Sequence, residues 1–183
     1  MKQIFIFRKA HAAVILIGCL MAFSSAMAQQ MPRRNVLRET NNEFFKTEEA
    51  RRIGNQVLVF QRCTGGWPKN IDMTQKMSNE ELAQVLREKS RRNDSTIDND
   101  ATTMQMIYLA RLYRQTKDVR YRDAFRLAVE YLLSGQYENG GWPQFWPEMR
   151  GYQVHITFND DAIVNTLEIL HDIMTAEFPY DCD

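Results

Sequence analysis

The sequence predicts an all-α fold made of (α/α) toroid-type helical repeats, incomplete in this chain. Three observations carry that expectation. Apolar residues recur at helical spacing along most of the chain, and only Gln153-Val154-His155-Ile156-Thr157-Phe158 alternates as a strand would. A turn, Gly65-Gly66-Trp67-Pro68, returns as Gly140-Gly141-Trp142-Pro143, and each is preceded by a glutamine at the same spacing, Gln61 and Gln136. Each turn then leads to a polar cluster of one pattern, Thr96-Ile97-Asp98-Asn99-Asp100-Ala101 and Thr157-Phe158-Asn159-Asp160-Asp161-Ala162. Two helix–turn–helix units cannot close a ring, so residues 29–183 are expected to be the N-terminal portion of a larger toroid domain.

Residues 1–28 stand apart. Lys2, Arg8 and Lys9 precede an apolar run from Ala12 to Phe23, and Ala26-Met27-Ala28 has the small-x-small form of a cleavage site. This reads as a secretory signal peptide, placing the mature chain in the periplasm or outside the cell. A lipoprotein anchor at Cys19 is the weaker alternative, because the apolar run continues past that cysteine. After cleavage no membrane association is expected, and the mature chain carries 20 basic and 23 acidic side chains, a net charge of −3. That balance argues against nucleic-acid binding. Of the cysteines, Cys63 and Cys182 remain, and either a pair or two free thiols fits the composition.

Along the mature chain, Phe44, Phe45, Ile53, Val57, Leu58 and Phe60 mark one helix or two short ones between Asn35 and Arg62, ended by the first Gly-Gly-Trp-Pro turn. Ser78-Asn79-Glu80-Glu81 is a capping box that opens a surface helix to about Arg92. A third helix runs from Ala101 to about Gln115. A fourth, from Arg120 to Ser134, turns Tyr121, Phe125, Ala128, Val129, Leu132 and Leu133 inward. The last begins at Ala162 and reaches about Ala176. Gln153–Phe158 is expected to approach the second cluster as a short extended segment.

The polar clusters admit two readings. Asp and Asn are favoured at helix starts because their side chains accept from free backbone N–H groups. That accounts for one residue in each cluster, not for three in succession twice over. Adjacent carboxylates repel unless something neutralises them, and a hard cation bound by oxygen ligands would do so. Metal or substrate binding is therefore weighed beside capping. Trp67 and Trp142, inside the repeated turn, suit packing. Trp146 and Tyr152, outside it, are candidates for stacking on a ligand. Lys69 is a cation placed to meet an anionic ligand, or a solvated side chain, and His155 is more simply structural.

At these residues the chain resembles the family-10 pectate lyases. Thr64-Gly-Gly-Trp-Pro-Lys-Asn70, Thr96-Ile-Asp-Asn-Asp-Ala-Thr102, Asn139-Gly-Gly-Trp-Pro-Gln144 and Ile156-Thr-Phe-Asn-Asp-Asp-Ala162 follow that family's order over residues 40–178. The resemblance implies a Ca²⁺-dependent β-elimination of polygalacturonate by an α/α toroid. Neutralising the uronate carboxylate would acidify the adjacent C5 proton. It also implies that Asp98, Asn99 and Asp160 hold the Ca²⁺, with Asp100 and Asp161 as weaker candidates. Lys69, Trp146 and Tyr152 are carried as substrate-binding candidates, with polygalacturonate or its oligosaccharides as partner, and a monomer is expected. The family's arginine base belongs to a later part of the domain, so no catalytic residue is assigned, and the chain alone is expected to show little or no turnover. Two alternatives stand beside this. One is a non-catalytic secreted pectin-binding or structural remnant. The other is a terpenoid-cyclase-like α/α protein, whose repeat shares the Gln-x-x-x-Gly-x-Trp spacing.

Overall fold

In a computed structural model, residues 36–177 and 179–180 are described. The segment read as a signal peptide (residues 1–28), Cys19 and the Cys182 partner considered for Cys63 lie outside the described residues. Among the described residues there are five α-helices and no strand: α1 (Glu48–Phe60), α2 (Asn79–Glu88), α3 (Thr103–Thr116), α4 (Val119–Ser134) and α5 (Ala162–Met174). Short 3-10 turns at Val36–Arg38 and Phe44–Lys46 lead into α1. The all-α expectation holds.

Local chemistry sets the helix limits. Thr47 caps α1 by accepting from the Ala50 N–H, and the Ser78/Glu81 capping box opens α2 as the sequence predicts. That helix ends at Glu88 and buries only Val85, in keeping with a surface insertion. Asp118 caps α4, with its carboxylate accepting from the Arg120 N–H. The guanidinium of Arg120 beside it holds the Asp118 carboxyl below its ordinary range. Two expectations need correction. Leu133 is 55% exposed, because it falls on the outer edge of the α4 stripe. Gln153–Phe158 is not extended throughout, since Gly151–Val154 form a 3-10 turn and only Ile156 makes a bridge, to Pro143.

The core is a single cluster in which α3 packs against α1 and α4, and α5 against α3. Large rings dominate it. Phe45, Trp67, Tyr108, Tyr121, Tyr131 and Trp142 are almost wholly buried. Their polar atoms are answered: the Tyr108 hydroxyl donates to the Ala50 carbonyl at 3.0 Å, and that of Tyr121 donates to Asn55 at 3.1 Å.

The repeat seen in the sequence is a repeat of hydrogen bonds. The Trp67 indole N–H donates to the Val57 carbonyl at 2.7 Å, and the Trp142 indole donates to Leu132 at 2.7 Å. Each Trp therefore clamps the end of the helix before it. The Gln61 amide donates to the Gly65 carbonyl at 2.8 Å and Gln136 to Gly140 at 3.2 Å, closing the turn in both copies. Each Trp carbonyl then accepts from the threonine that opens the polar cluster, Thr96 N–H at 3.1 Å and Thr157 N–H at 2.9 Å. Turn and cluster are thus tied across whatever loop lies between them. In the first unit that loop includes α2.

The two turn glycines share a backbone conformation but not a setting. Gly65 (φ 95°) and Gly140 (φ 87°) both require positive φ. A Cβ on Gly65 would lie 2.3 Å from the Leu127 carbonyl oxygen, whereas one on Gly140 meets nothing within 4 Å. Gly140→Ala should therefore cost only the backbone strain, about 1–2 kcal/mol. Gly65→Ala adds a backbone clash and should cost more, roughly 3 kcal/mol or above. Urea denaturation of the two variants checks the order.

Candidate functional site: two paired polar turns

The two polar clusters form 3-10 turns, Asp98–Asp100 and Asn159–Asp161, and these turns pack directly on each other. Their backbones match residue for residue. Asn99 (φ 52°) corresponds to Asp160 (φ 48°), and Asp100 (φ 58°) to Asp161 (φ 55°). Four non-glycine residues in the left-handed region are uncommon, and Asn and Asp are the side chains that tolerate it. The result turns successive side chains out of the line a helix would give them. None of the six caps α3 or α5: both helices start without a side-chain cap hydrogen bond. Capping does not explain the clusters.

Threonines organise both turns. The Asp98 N–H donates to Thr96 Oγ1 at 3.0 Å, and the Asn159 N–H donates to Thr157 Oγ1 at 3.4 Å. Thr96 Oγ1 in turn donates to the Gln144 carbonyl at 2.5 Å, and a bridge pairs Thr96 with Phe145. The first cluster is thereby stitched to the turn of the second unit. Thr102 adds a further tie, with its hydroxyl donating to the Thr96 carbonyl and accepting from the Trp67 N–H.

Side chains break the symmetry. Asp98 is 1% exposed, whereas its counterpart Asn159 is exposed. One oxygen of the Asp98 carboxylate receives both the Lys69 ammonium and the Gln144 amide, the latter at 2.5 Å. Lys69 and Gln144 each stand two residues after the tryptophan of their own turn, so equivalent positions of the two units converge on one carboxylate. The other oxygen, Asp98 Oδ1, is buried and has no hydrogen-bond partner. A buried carboxylate oxygen left unanswered by the protein is costly and calls for a partner from outside it, such as a water or an ion.

The flanking residues are fixed. The Asn99 amide donates to Asn70 Oδ1 at 3.0 Å, which leaves the Asn99 oxygen to point elsewhere. Asp100 is held at both oxygens, by the Arg38 guanidinium and by the Asn165 amide at 2.8 Å. It therefore acts as a brace for the turn and is poorly placed as a ligand. Asp160 is exposed.

The sequence-based candidates fare unevenly. Lys69 meets Asp98 on the first turn, which also carries Asn99, and Asp160 lies on the second turn packed against it. Tyr152 is 71% exposed on the Gly151–Val154 turn, and His155 is exposed beside it. Trp146 is a correction. It is 3% exposed, its ring is stacked on Tyr131 with centroids 4.1 Å apart, and its indole N–H donates to the Tyr131 carbonyl at 2.9 Å. No ring face is open to a sugar. Sequence reasoning missed Gln144 and Phe145 as site residues, although the Trp-plus-two offset shared with Lys69 pointed to the first. Phe145 lies under the Lys69 ammonium, 5.5 Å from ring centroid to nitrogen.

Among the described residues no group of three or more His, Cys, Asp and Glu side chains is arranged to hold a metal. The candidate set differs in kind: two carboxylates, Asp98 and Asp160, with the Asn99 amide oxygen. Hard oxygen donors of this sort suit Ca²⁺ rather than Zn²⁺, and the partnerless Asp98 oxygen fits such an ion.

The two helix–turn–helix units of this toroid-type repeat thus bring an ammonium and an amide N–H from equivalent turn positions onto one buried carboxylate. Comparison with known proteins identifies the family. The family described as pectic acid lyase matches residues 61–183, and the chain belongs to that family. The chain is similar to a family 10 polysaccharide lyase from Cellvibrio cellulosa, with 35% identity over 78% of this chain and a TM-score of 0.64. A point mutant of that enzyme, solved in complex with trigalacturonic acid, matches at 34% identity over 78% of this chain with a TM-score of 0.64. This chain spans 41% and 42% of those two chains respectively. Among curated proteins no relative matches. Family membership displaces the terpenoid-cyclase alternative.

Proposed function

We propose that the chain is the part of a pectate lyase that binds Ca²⁺ and the uronate groups of polygalacturonate, with Asp98, Asn99 and Asp160 as the protein ligands. The observation that carries this reading is the buried Asp98 carboxylate, one oxygen of which has no partner, beside a second polar turn of the same backbone form. Support for the substrate comes from the family and from the trigalacturonic acid bound by the similar lyase.

When bound, Ca²⁺ supplies a hard positive charge that offsets a uronate carboxylate and raises the acidity of the proton next to it. The chain's own residues do the positioning. Asp98 is held rigidly by Gln144 and by its N–H bond to Thr96, so its free oxygen is preorganised. Asn99 is oriented by Asn70, and Asp160 enters from the second turn. Lys69 supplies a cation at the rim, and exposed Tyr152 is kept as a candidate for contact with the oligosaccharide. The reading assigns no base among the described residues. A signal peptide over residues 1–28 would deliver the protein to extracytoplasmic pectin.

For the 183-residue chain by itself we expect calcium-dependent binding of trigalacturonic acid without elimination. Calorimetric titration with trigalacturonic acid, in calcium and in chelator, tests the first half. Ultraviolet absorbance of unsaturated uronide from polygalacturonate tests the second. Strong calcium-dependent product formation would sink the claim that this chain binds without turnover.

A further inference from the structure

We propose that Lys69 is the occupant of the Asp98 carboxylate when no cation is bound, and that a cation entering the site displaces it toward a uronate carboxylate. Lys69 would thereby link calcium occupancy to substrate occupancy. This rests on the calcium reading above. Five observations carry it. The Lys69 ammonium is paired with Asp98, whose side chain is 2% exposed, while the lysine side chain is 29% exposed and so borders solvent. The oxygen that Lys69 touches already receives the Gln144 amide, so Asp98 keeps a partner when the lysine leaves. The second Asp98 oxygen is buried and partnerless, which places a vacant acceptor next to an occupied one. The Phe145 ring near the ammonium offers a further partner to the lysine. In the repeat, the equivalent of Lys69 is the neutral Gln144, and the equivalent of Asp98 is the exposed, uncharged Asn159. Only the unit with the buried carboxylate carries the competing cation.

The physics is direct. A monovalent and a divalent cation on one carboxylate repel, and repulsion grows in a water-poor site. Lysine suits such a role because its ammonium is a point charge on a flexible four-carbon stem, whereas a guanidinium binds a carboxylate as a rigid fork. Removing the ammonium leaves a buried carboxylate short of positive charge, so the metal gains what the lysine gave up. Because linkage is reciprocal, trigalacturonic acid that engages the released ammonium should also tighten calcium binding, and more so in the wild type than without the lysine.

The test is calcium titration of the full chain by calorimetry, without sugar and then with trigalacturonic acid, for the wild type, Lys69→Met and Lys69→Arg. Circular dichroism would check that each variant is folded. Lys69→Met is expected to bind calcium roughly tenfold or more tightly than the wild type without sugar. It should also lose part of the tightening that trigalacturonic acid confers. Lys69→Arg, which keeps the charge, should stay near the wild type or bind calcium more weakly. Equal or weaker calcium binding by Lys69→Met overturns the proposal while leaving the calcium site standing, as does tightening by Lys69→Arg to the same extent. Should Lys69→Met not fold, calcium binding by Lys69→Arg tighter than the wild type overturns it, and wild-type or weaker binding supports it. No calcium binding by the wild type overturns the calcium reading and this inference together.

Discussion

Asp98→Asn is expected to lower calcium affinity by roughly a hundredfold or more, since affinity in oxygen-donor sites follows ligand charge. The substitution keeps the size of the side chain and removes the charge. Asp98 is the one member of the proposed ligand set that is buried, and its environment is built around a negative charge: the Lys69 ammonium and the Gln144 amide both donate to it. An amide there would leave the ammonium without its partner and offer a neutral oxygen to the ion. Retention of the protein on calcium-equilibrated pectate should fall in parallel. Asp160→Asn should have a smaller effect in the same direction, because Asp160 is exposed and its charge is screened by solvent. Calcium titration of the two variants decides the order. An equal loss would mean that burial of Asp98 does not matter to the site.

The second large effect is on stability. Trp67→Ala should cost about 3–5 kcal/mol, the usual range for deleting a buried aromatic ring. Trp67 is fully buried, and its loss also strips the Val57 carbonyl of its indole donor at 2.7 Å. A domain of this size has on the order of 5–15 kcal/mol to lose. The variant should therefore melt far below the wild type. Trp67→Phe keeps much of the packing and loses the hydrogen bond, so it should fall between the two. Thermal denaturation followed by circular dichroism gives the ranking. Because the Trp67 main chain bonds to Thr96 and Thr102, a weakened turn should also loosen the Asp98 loop.

Much of this could be read from the residues. The Gly-Gly-Trp-Pro turns announced themselves by repetition, and their tryptophans pack as expected because an indole inside a tight turn has nowhere else to go. The Ser78–Glu81 box and the helix periodicities gave the elements to within a few residues, since capping and amphipathicity are local. The polar clusters were visible as chemistry, and the left-handed backbone that carries them is one Asn and Asp permit.

What escaped depends on distant neighbours. Trp146 lies outside the repeat and looked available to a ligand, yet Tyr131 from α4 covers its face. The strand-like alternation of Gln153–Phe158 yielded to a 3-10 turn beginning at Gly151, whose positive φ (56°) starts a reversal rather than a strand. That Lys69 and Gln144 share Asp98 joins residues 29 and 46 positions away from it, and no local pattern encodes which acid a cation will find. Phe158 shows the same dependence. It occupies the place of the fully buried Ile97 in the repeat, yet it is 82% exposed.

The central claim is that the two polar turns form one calcium-dependent site for galacturonate oligosaccharides. A crystal structure of the full chain with calcium and trigalacturonic acid tests it most directly. The account predicts an ion bound by Asp98, Asn99 and Asp160, with a uronate carboxylate on its open side and the Lys69 ammonium turned away from Asp98. An ion bound elsewhere, or the sugar acid seated against Lys69 with Asp98 still paired and no ion between the turns, would contradict it.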